Sequence, residues 1–382
     1  MPPFFSKNDL DIDQFAQLCT QTVDLADYPL AADVAQNVVI YEGDVVRQAL
    51  TASDTEAALQ AEMCRVLRDG PGVFAVKNSY EDVGVIERTT AVFKAIIAAE
   101  KAAGQGQGDH FGTNERIWNS LQKQAVYDPD LFIDYYGNPI VALASRAWLG
   151  PHYQMTAQVN IVKPGGKAQS AHRDYHLGFQ SRATIGQYPA HVQTMSQYLT
   201  LQGAIVHSDM PLETGPTLFL PFSQQYAPGY LAFREPEFAA YFDEHKVQIP
   251  FAKGDTLFFS PALFHGAGTN QTKGDRIANL VQVSSAFGRT METVNRTKMI
   301  TAVYPALLAR LEAGTLSERQ LHDTLASTAE GYSFPTNLDS DPPVGGNAPE
   351  TAAQMTLKAL QARQPISALQ ETLAAYEERQ SA

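Results

Sequence analysis

Apolar positions along the chain follow two different periods. In "SDTEAALQAEMCRVLRDG", Leu59, Met63, Val66 and Leu67 recur three and four residues apart, which predicts one buried helix face with Gly70 as the stop. "GVFAVKN" then reads as a short strand, and "YEDVGVIERTTAVFKAIIAAEKAAG" as a second helix ending at Gly104. From about residue 153 the pattern shortens. "YQMTAQVNIVKPGG", "SQYLTLQGAIV", "TLFLPF", "HKVQIPFAKGDTLFFSP" and "IANLVQVSSAF" are rich in β-branched and aromatic residues and are punctuated by Gly, Pro, Asn and Asp. Many short strands separated by turn signals suggest a sandwich or barrel, with a jelly roll among the options. Helical periodicity returns after residue 290 in "YPALLARLEAG" and "SERQLHDTLAST". A Pro/Gly/Asp-rich linker near 332–350 follows. A last helix is expected to open at Ser367 with a capping-box pattern, placing Leu369, Leu373 and Tyr376 on one face. The expected division is a mostly helical region over 1–145, a β core over 146–290 and a helical extension over 291–382.

Composition narrows the function classes. The chain has 382 residues, 44% hydrophobic, enough for a large core. Its net charge of −13, from 41 acidic and 28 basic residues, comes without a Lys/Arg cluster of the kind that follows nucleic acid or an anionic membrane. No stretch approaches the ~20 apolar residues of a membrane span. The N-terminus lacks a signal-peptide pattern, and two cysteines, Cys19 and Cys64, make no disulfide framework. The expectation is a cytoplasmic protein acting on a small molecule. The C-terminal amphipathic helices are candidates for internal packing or for a homodimer contact. "GQGQGDHFGTNE" is Gly-rich, but no helix directly follows a phosphate-cradling pattern, so it reads as a flexible loop.

The chemistry concentrates in "QSAHRDYHLGFQ". On a strand, side chains two apart share a face, so His172 and Asp174 would point together. A second His from a distant strand would complete a two-His, one-carboxylate triad. The best candidate is His265 in "KGDTLFFSPALFHGAGTNQTKGDRIANL", after an apolar strand and at a Gly-rich turn. Such a triad leaves open positions on an octahedral iron, as in non-haem Fe(II) oxygenases. Arg276, at the start of the next strand, has the forked guanidinium that suits the far carboxylate of a 2-oxo acid. Two other readings stay open: a cupin-type isomerase or hydrolase with Zn or Mn, for which Arg276 has no purpose, and a silent barrel acting as a binding protein. Tyr175 and His176 are candidate pocket-lining residues. Trp118 is a candidate for the pocket or the core. His110, His152, His191, His207, His245 and His322 show no partner spacing and read as surface or structural.

Three segments together, "LGPHYQMTAQVNIVKPGGKAQSAHRDYHLGF", "DMPLETGPTLFLPFSQQY" and "KGDTLFFSPALFHGAGTNQTKGDRIANLVQVSS", resemble the phytanoyl-CoA dioxygenase family. The likeness spans roughly residues 148–287, with a looser echo at "LRDGPGVFAVKN". It implies a double-stranded β-helix, a jelly roll of the cupin kind, flanked by helical N- and C-terminal extensions. The implied activity is Fe(II)- and 2-oxoglutarate-dependent oxygenation, most simply hydroxylation, with O2 as the other cosubstrate. By the resemblance, His172, Asp174 and His265 ligate iron and Arg276 pairs with 2-oxoglutarate. Gln158 and Asn160, on one face of the preceding strand, are further cosubstrate contacts. Two departures stand out: "ETGPTLFLPFSQQY" lacks the family's Gly-Ser-His ending, and Gly-Ala-Gly follows His265. Halogenating relatives lack the carboxylate, so Asp174 disfavours that chemistry. Substrate choice is expected from loops 105–122 and 175–190 and from the C-terminal arm.

Overall fold

Strand residues alternate between two faces, and the computed structural model, which describes residues 2–104, 114–343 and 345–381, uses both faces of its main sheet. Ten strands form among the described residues: β1 (Asp33–Ala35), β2 (Val38–Glu42), β3 (Val73–Lys77), β4 (Glu115–Ile117), β5 (Gln154–Val162), β6 (Thr200–Val206), β7 (Thr217–Leu220), β8 (Thr256–Phe259), β9 (Phe264–Ala267) and β10 (Arg276–Ser284). Eight build one sheet in the order β1-β2-β3-β8-β6-β10-β5-β4. All its pairs are antiparallel except β2 with β3. β7 and β9 form a second sheet. Single bridges widen it on both sides, His172 pairing with His265 and Val247 with Phe219.

From β5 onward the chain passes back and forth between the sheets. β5, β6, β8 and β10 lie in the large one, whereas the segment around His172, β7, the segment around Val247 and β9 lie in the small one. That winding is a double-stranded β-helix. Register fixes which residues look inward: Leu280 pairs with Gln158 and Ala204, so all three share the face turned to the small sheet. The opposite face buries Val159, Ile205, Phe258 and Val281 in a core shared with helices from both ends of the chain. One polar outward position is satisfied rather than solvated: Asn279 Nδ2 donates to the Tyr135 and Tyr136 hydroxyls at 3.0 and 2.8 Å. The inward face closes at one end over Val206, Phe219, Leu257 and Phe259 and is open at the other.

The sheet runs across the expected boundary at 145/146, because β1 to β4 all come from the N-terminal side. Val38, Val39, Ile40 and Tyr41 are buried on both faces of β2, so they carry no alternation to mark a strand in the sequence. The C-terminal region is helical over Arg296–Glu312, Glu318–Thr328, Ala352–Gln361 and Ile366–Gln380, and 329–350 holds no helix or strand among its described residues. The last helix starts at Ile366 with Pro365 as N-cap and no side-chain cap. The capping box belongs to the helix before it, where Thr351 and Gln354 bond reciprocally. Pro365 fixes its own φ near that of a helix start while its ψ stays extended, as an N-cap requires, which leaves Ser367 inside the first turn. Leu369, Leu373 and Tyr376 are buried within the chain's own main core. No helix among the described residues is long and apolar enough to cross a membrane.

Candidate metal centre and cavity

His172 sits opposite His265 across the small sheet, the two exchanging backbone hydrogen bonds at 3.0 and 3.1 Å. Their rings lie 4.4 Å apart, centroid to centroid. Asp174 stays extended alongside, its N–H donating to Pro261 O at 3.0 Å, so its carboxylate reaches both imidazoles. The Asp174 carboxylate is 3.6 Å from His172 Nε2 and 3.4 Å from His265 Nε2. One donor atom from each of the three lies within 4.8 Å of the other two. The residue between them, Arg173, points the other way and is fully buried. Its Nη2 donates to Ser223 O and Tyr226 O at 2.6 and 2.9 Å, which anchors the segment from behind. Gly229 makes room for it, since a Cβ there would stand 1.9 Å from the guanidinium carbon.

Both imidazoles are held with Nε2 forward. His172 Nδ1 lies 2.9 Å from Ser170 O and His265 Nδ1 lies 2.8 Å from Leu263 O. A carbonyl only accepts, so each Nδ1 carries a proton and each Nε2 is turned toward Asp174. Burial, reinforced by His265, lowers the pKa of His172. Burial alone would raise the Asp174 pKa, but His265, His172 and the Gln202 amide together hold it well below the usual carboxylate range. Gln202 Nε2 donates to Asp174 Oδ2 at 2.6 Å. Two imidazole Nε2 atoms and an ionised carboxylate form a donor set that fits a divalent transition metal such as Fe(II).

The three side chains line a cavity of about 920 Å³ between the sheets, within the range of small-molecule sites. Arg276 lies on its wall, buried, with Nη1 donating to Thr214 O and Gly268 O at 2.9 and 3.1 Å. Among the described residues no carboxylate forms an ion pair with it, and burial lowers its pKa to about 10. Gln158 and Asn160 also face the cavity. Gln158 Nε2 is committed to Glu292 at 2.8 Å, whereas Asn160 Oδ1 is buried without a partner. Trp118 joins the wall, with Arg116 stacked 4.8 Å over its ring.

Tyr175 and His176 do not reach the cavity. The backbone turns left-handed at both, with φ of 66° and 36°, and carries their side chains away, so the lining passes from Asp174 to Gly178 and Phe179. Tyr175 is buried beneath this turn. Of loop 105–122, residues 105–113, with His110, lie outside the described residues, and Arg116 and Trp118 supply its share of the wall. Loop 175–190 supplies Gly178 and Phe179. Among the described residues the lining ends at Met291, short of the C-terminal helices. His207 is fully buried between Thr90 Oγ1 at 2.8 Å and Tyr135 Oη at 2.6 Å, away from the wall. Sequence reasoning did not find Gln202, Arg173 or Arg234. Each makes its key contact with residues far along the chain, so no local spacing marks it.

A family model described as "Phytanoyl-CoA dioxygenase (PhyH)" matches residues 43–278. No curated protein matches the chain. Among solved structures, it is similar to the epimerase SnoN in complex with Fe3+, alpha ketoglutarate and nogalamycin RO, at 17% identity and a TM-score of 0.44 over 63% of this chain and 90% of that one. The carbocyclase SnoK from nogalamycin biosynthesis is 18% identical with a TM-score of 0.43, over 60% and 86%. HygX from Streptomyces hygroscopicus, with nickel and 2-oxoglutarate bound, is 13% identical with a TM-score of 0.43, over 61% and 90%. None of these likenesses assigns a residue or a substrate to this chain.

Proposed function

This chain belongs to the phytanoyl-CoA dioxygenase family, and from that premise we propose that it is an Fe(II)- and 2-oxoglutarate-dependent oxygenase that hydroxylates a small organic molecule. The observation that carries this reading is the presence, in one cavity, of the His172–Asp174–His265 donor set and a buried Arg276 that pairs with no carboxylate among the described residues. His172, Asp174 and His265 would hold the iron. When bound, the iron with 2-oxoglutarate supplies dioxygen activation coupled to oxidative decarboxylation of the keto acid.

The rest is the work of the chain. Arg276 spends one nitrogen on the Thr214 and Gly268 carbonyls, so its orientation is fixed before a cosubstrate carboxylate arrives. Gln202 keeps Asp174 turned toward the imidazoles. Asn160, with its unpartnered carbonyl oxygen, can accept a hydrogen bond from a bound molecule. Phe259, Leu257 and Leu280 on the inner face exclude water from the reacting bond. A cupin-type hydrolase or isomerase would need the donor set but would leave Arg276 without a counter-ion.

Anaerobic titration of the apo protein with Fe(II) and then 2-oxoglutarate tests the reading. The weak visible charge-transfer band of the chelate is expected in the wild type and absent in Asp174→Ala. In Arg276→Ala it should need roughly 10- to 100-fold more 2-oxoglutarate, the loss expected for a charge-assisted pair. Iron binding without a band in the wild type would favour the cupin-type reading. No iron binding at all would favour a silent barrel. A turnover assay that couples succinate release to a hydroxylated product then separates hydroxylation from other outcomes of the same site.

A further inference from the structure

The chain is acidic overall, with 41 acidic against 28 basic residues, yet its cavity has the opposite character. Arg116, Arg173, Arg234 and Arg276 belong to the lining, Arg173 with its guanidinium turned to the Ser223 and Tyr226 carbonyls, and Asp174 is the one acidic side chain there among the described residues. Asp174 already faces two imidazoles. Arg276 is assigned above to the cosubstrate. Arg234 has no such assignment.

Arg234 follows the short helix Gly229–Ala232 and is held in place from two sides. Its Nη2 donates to Gly178 O at 2.7 Å, and the Phe233 ring lies 4.3 Å from its guanidinium carbon. Its Nη1 is buried without a hydrogen-bond partner. Among the described residues no carboxylate pairs with it. The charged neighbour acting on it is Arg182, which is itself paired to Glu235 at 2.8 Å. A half-buried cation with a buried, unused donor is costly unless something else satisfies it. Gly178 belongs to the loop that carries Phe179 onto the cavity wall, so Arg234 also ties that loop down. Phe233 and Phe179 give the wall on this side an apolar character, and Trp118, Met210, Phe251 and Leu280 line other parts of it.

Resting on the oxygenase reading, we infer that the substrate is an organic carboxylic acid. Its carboxylate binds Arg234, and its apolar or aromatic body lies along the Phe179–Phe233 side of the cavity toward the donor set. A carboxylate matches this position better than a phosphate ester does. One guanidinium edge with one nitrogen already committed suits a single negative charge, whereas a phosphoryl dianion calls for more donors than Arg234 has left. Arg234 is thereby a specificity residue, distinct from the cosubstrate anchor Arg276.

The test is a calorimetric titration of the full chain holding Mn(II) and N-oxalylglycine, a 2-oxoglutarate mimic that occupies the Arg276 position. The probes are 3-phenylpropionate, 3-phenylpropionamide and phenyl phosphate. The acid is expected to bind about tenfold or more tighter than the amide, the worth of one charged hydrogen bond. Arg234→Gln should erase that preference, and Arg234→Lys should keep part of it. Equal binding of acid and amide by the wild type, no binding of the acid at millimolar concentration, or an unchanged preference in Arg234→Gln would overturn the inference. Tighter binding of phenyl phosphate, lost in Arg234→Gln, would overturn the carboxylate assignment in favour of a phosphate ester. If Arg234→Gln fails to fold by circular dichroism, the wild-type acid-to-amide ratio and Arg234→Lys still decide. N-oxalylglycine binding is read in its own titration. Its failure counts against the oxygenase reading, while the acid-to-amide ratio reports on Arg234 alone.

Discussion

Gln202 shows how much of this site depends on a residue outside the donor set. Its amide holds one oxygen of Asp174 at 2.6 Å, and without it the carboxylate is free to rotate away from the imidazoles. Gln202→Leu is therefore expected to lower metal affinity about 10- to 100-fold, as removal of such supporting partners commonly does. Competition against a chelator of known affinity measures this, and an unchanged affinity would show that the strand alone orients Asp174. A second residue-scale prediction concerns His207. Burial drives its pKa down to about 3, so the folded protein keeps it neutral while the unfolded chain protonates near 6.5. Its contribution is complete above about pH 6.5 and is lost as the pH falls toward 3, at up to about 1.4 kcal/mol per pH unit. His207→Gln should flatten the acid limb of the urea midpoint against pH relative to wild type. Identical slopes would mean that other groups govern acid unfolding. At this scale the sequence was readable only where residues sit close together or carry unusual chemistry. His172 and Asp174 lie two apart, and His265 and Arg276 flank a Gly-rich turn. Gln202, Arg173 and Arg234 look like ordinary polar residues until the sheets fold them against their partners.

The segment that carries the donor set is short and has strained neighbours. It makes a single bridge to β9 at His172 and then turns left-handed at Tyr175 and His176. Arg173 is what keeps it flat, through the Ser223 and Tyr226 carbonyls and the Tyr230 and Phe264 rings, each 5.3 Å from its guanidinium carbon. Gly229→Ala should displace that guanidinium and cost about 1–3 kcal/mol, the usual range for overpacking a filled interior. It should also weaken metal binding, although residue 229 touches no ligand. Denaturant unfolding and the same chelator competition measure both effects, and a loss of stability with metal affinity intact would separate Arg173 from the site. Elements were legible where helical periodicity, or a β-branched run bounded by turn residues, marks them. The helices Ser53–Arg68 and Val83–Ala102 and strands β5, β6 and β10 lie where the apolar period puts them. β2 was not legible, because a strand buried on both faces loses its period, and β1, at three residues, is too short to show one. The left-handed turn after Asp174 was not legible either, since a bulky Tyr rarely adopts positive φ and one His is a weak signal for it, and it is this turn that moved both residues off the cavity.

At the scale of the whole molecule, residues from all three expected parts share one apolar core. N-terminal strands pair directly with β8 and β5 of the double-stranded β-helix. One apolar cluster runs from Val39 to Tyr376. Ion pairs tie the C-terminal helices to the N-terminal ones, with Arg319 bound to Glu56 at 2.8 Å and Arg146 to Asp323 at 2.6 Å. Arg296, half-buried, reaches from the C-terminal side to Met155 O in β5 at 2.7 Å. Truncating any one part would expose the apolar face of another, so the parts should not unfold independently. The expected outcome is a single calorimetric transition whose van't Hoff and calorimetric enthalpies agree. A proteolytic nick within 333–350, where no helix or strand forms among the described residues, should leave both fragments associated in gel filtration. The nicked protein should still bind metal, because the cavity wall stops at Met291. Two resolved transitions, or release of the C-terminal fragment with the donor set intact, would instead make the C-terminal helices a separable layer. The cavity would then be a property of the β-helix and its N-terminal strands alone.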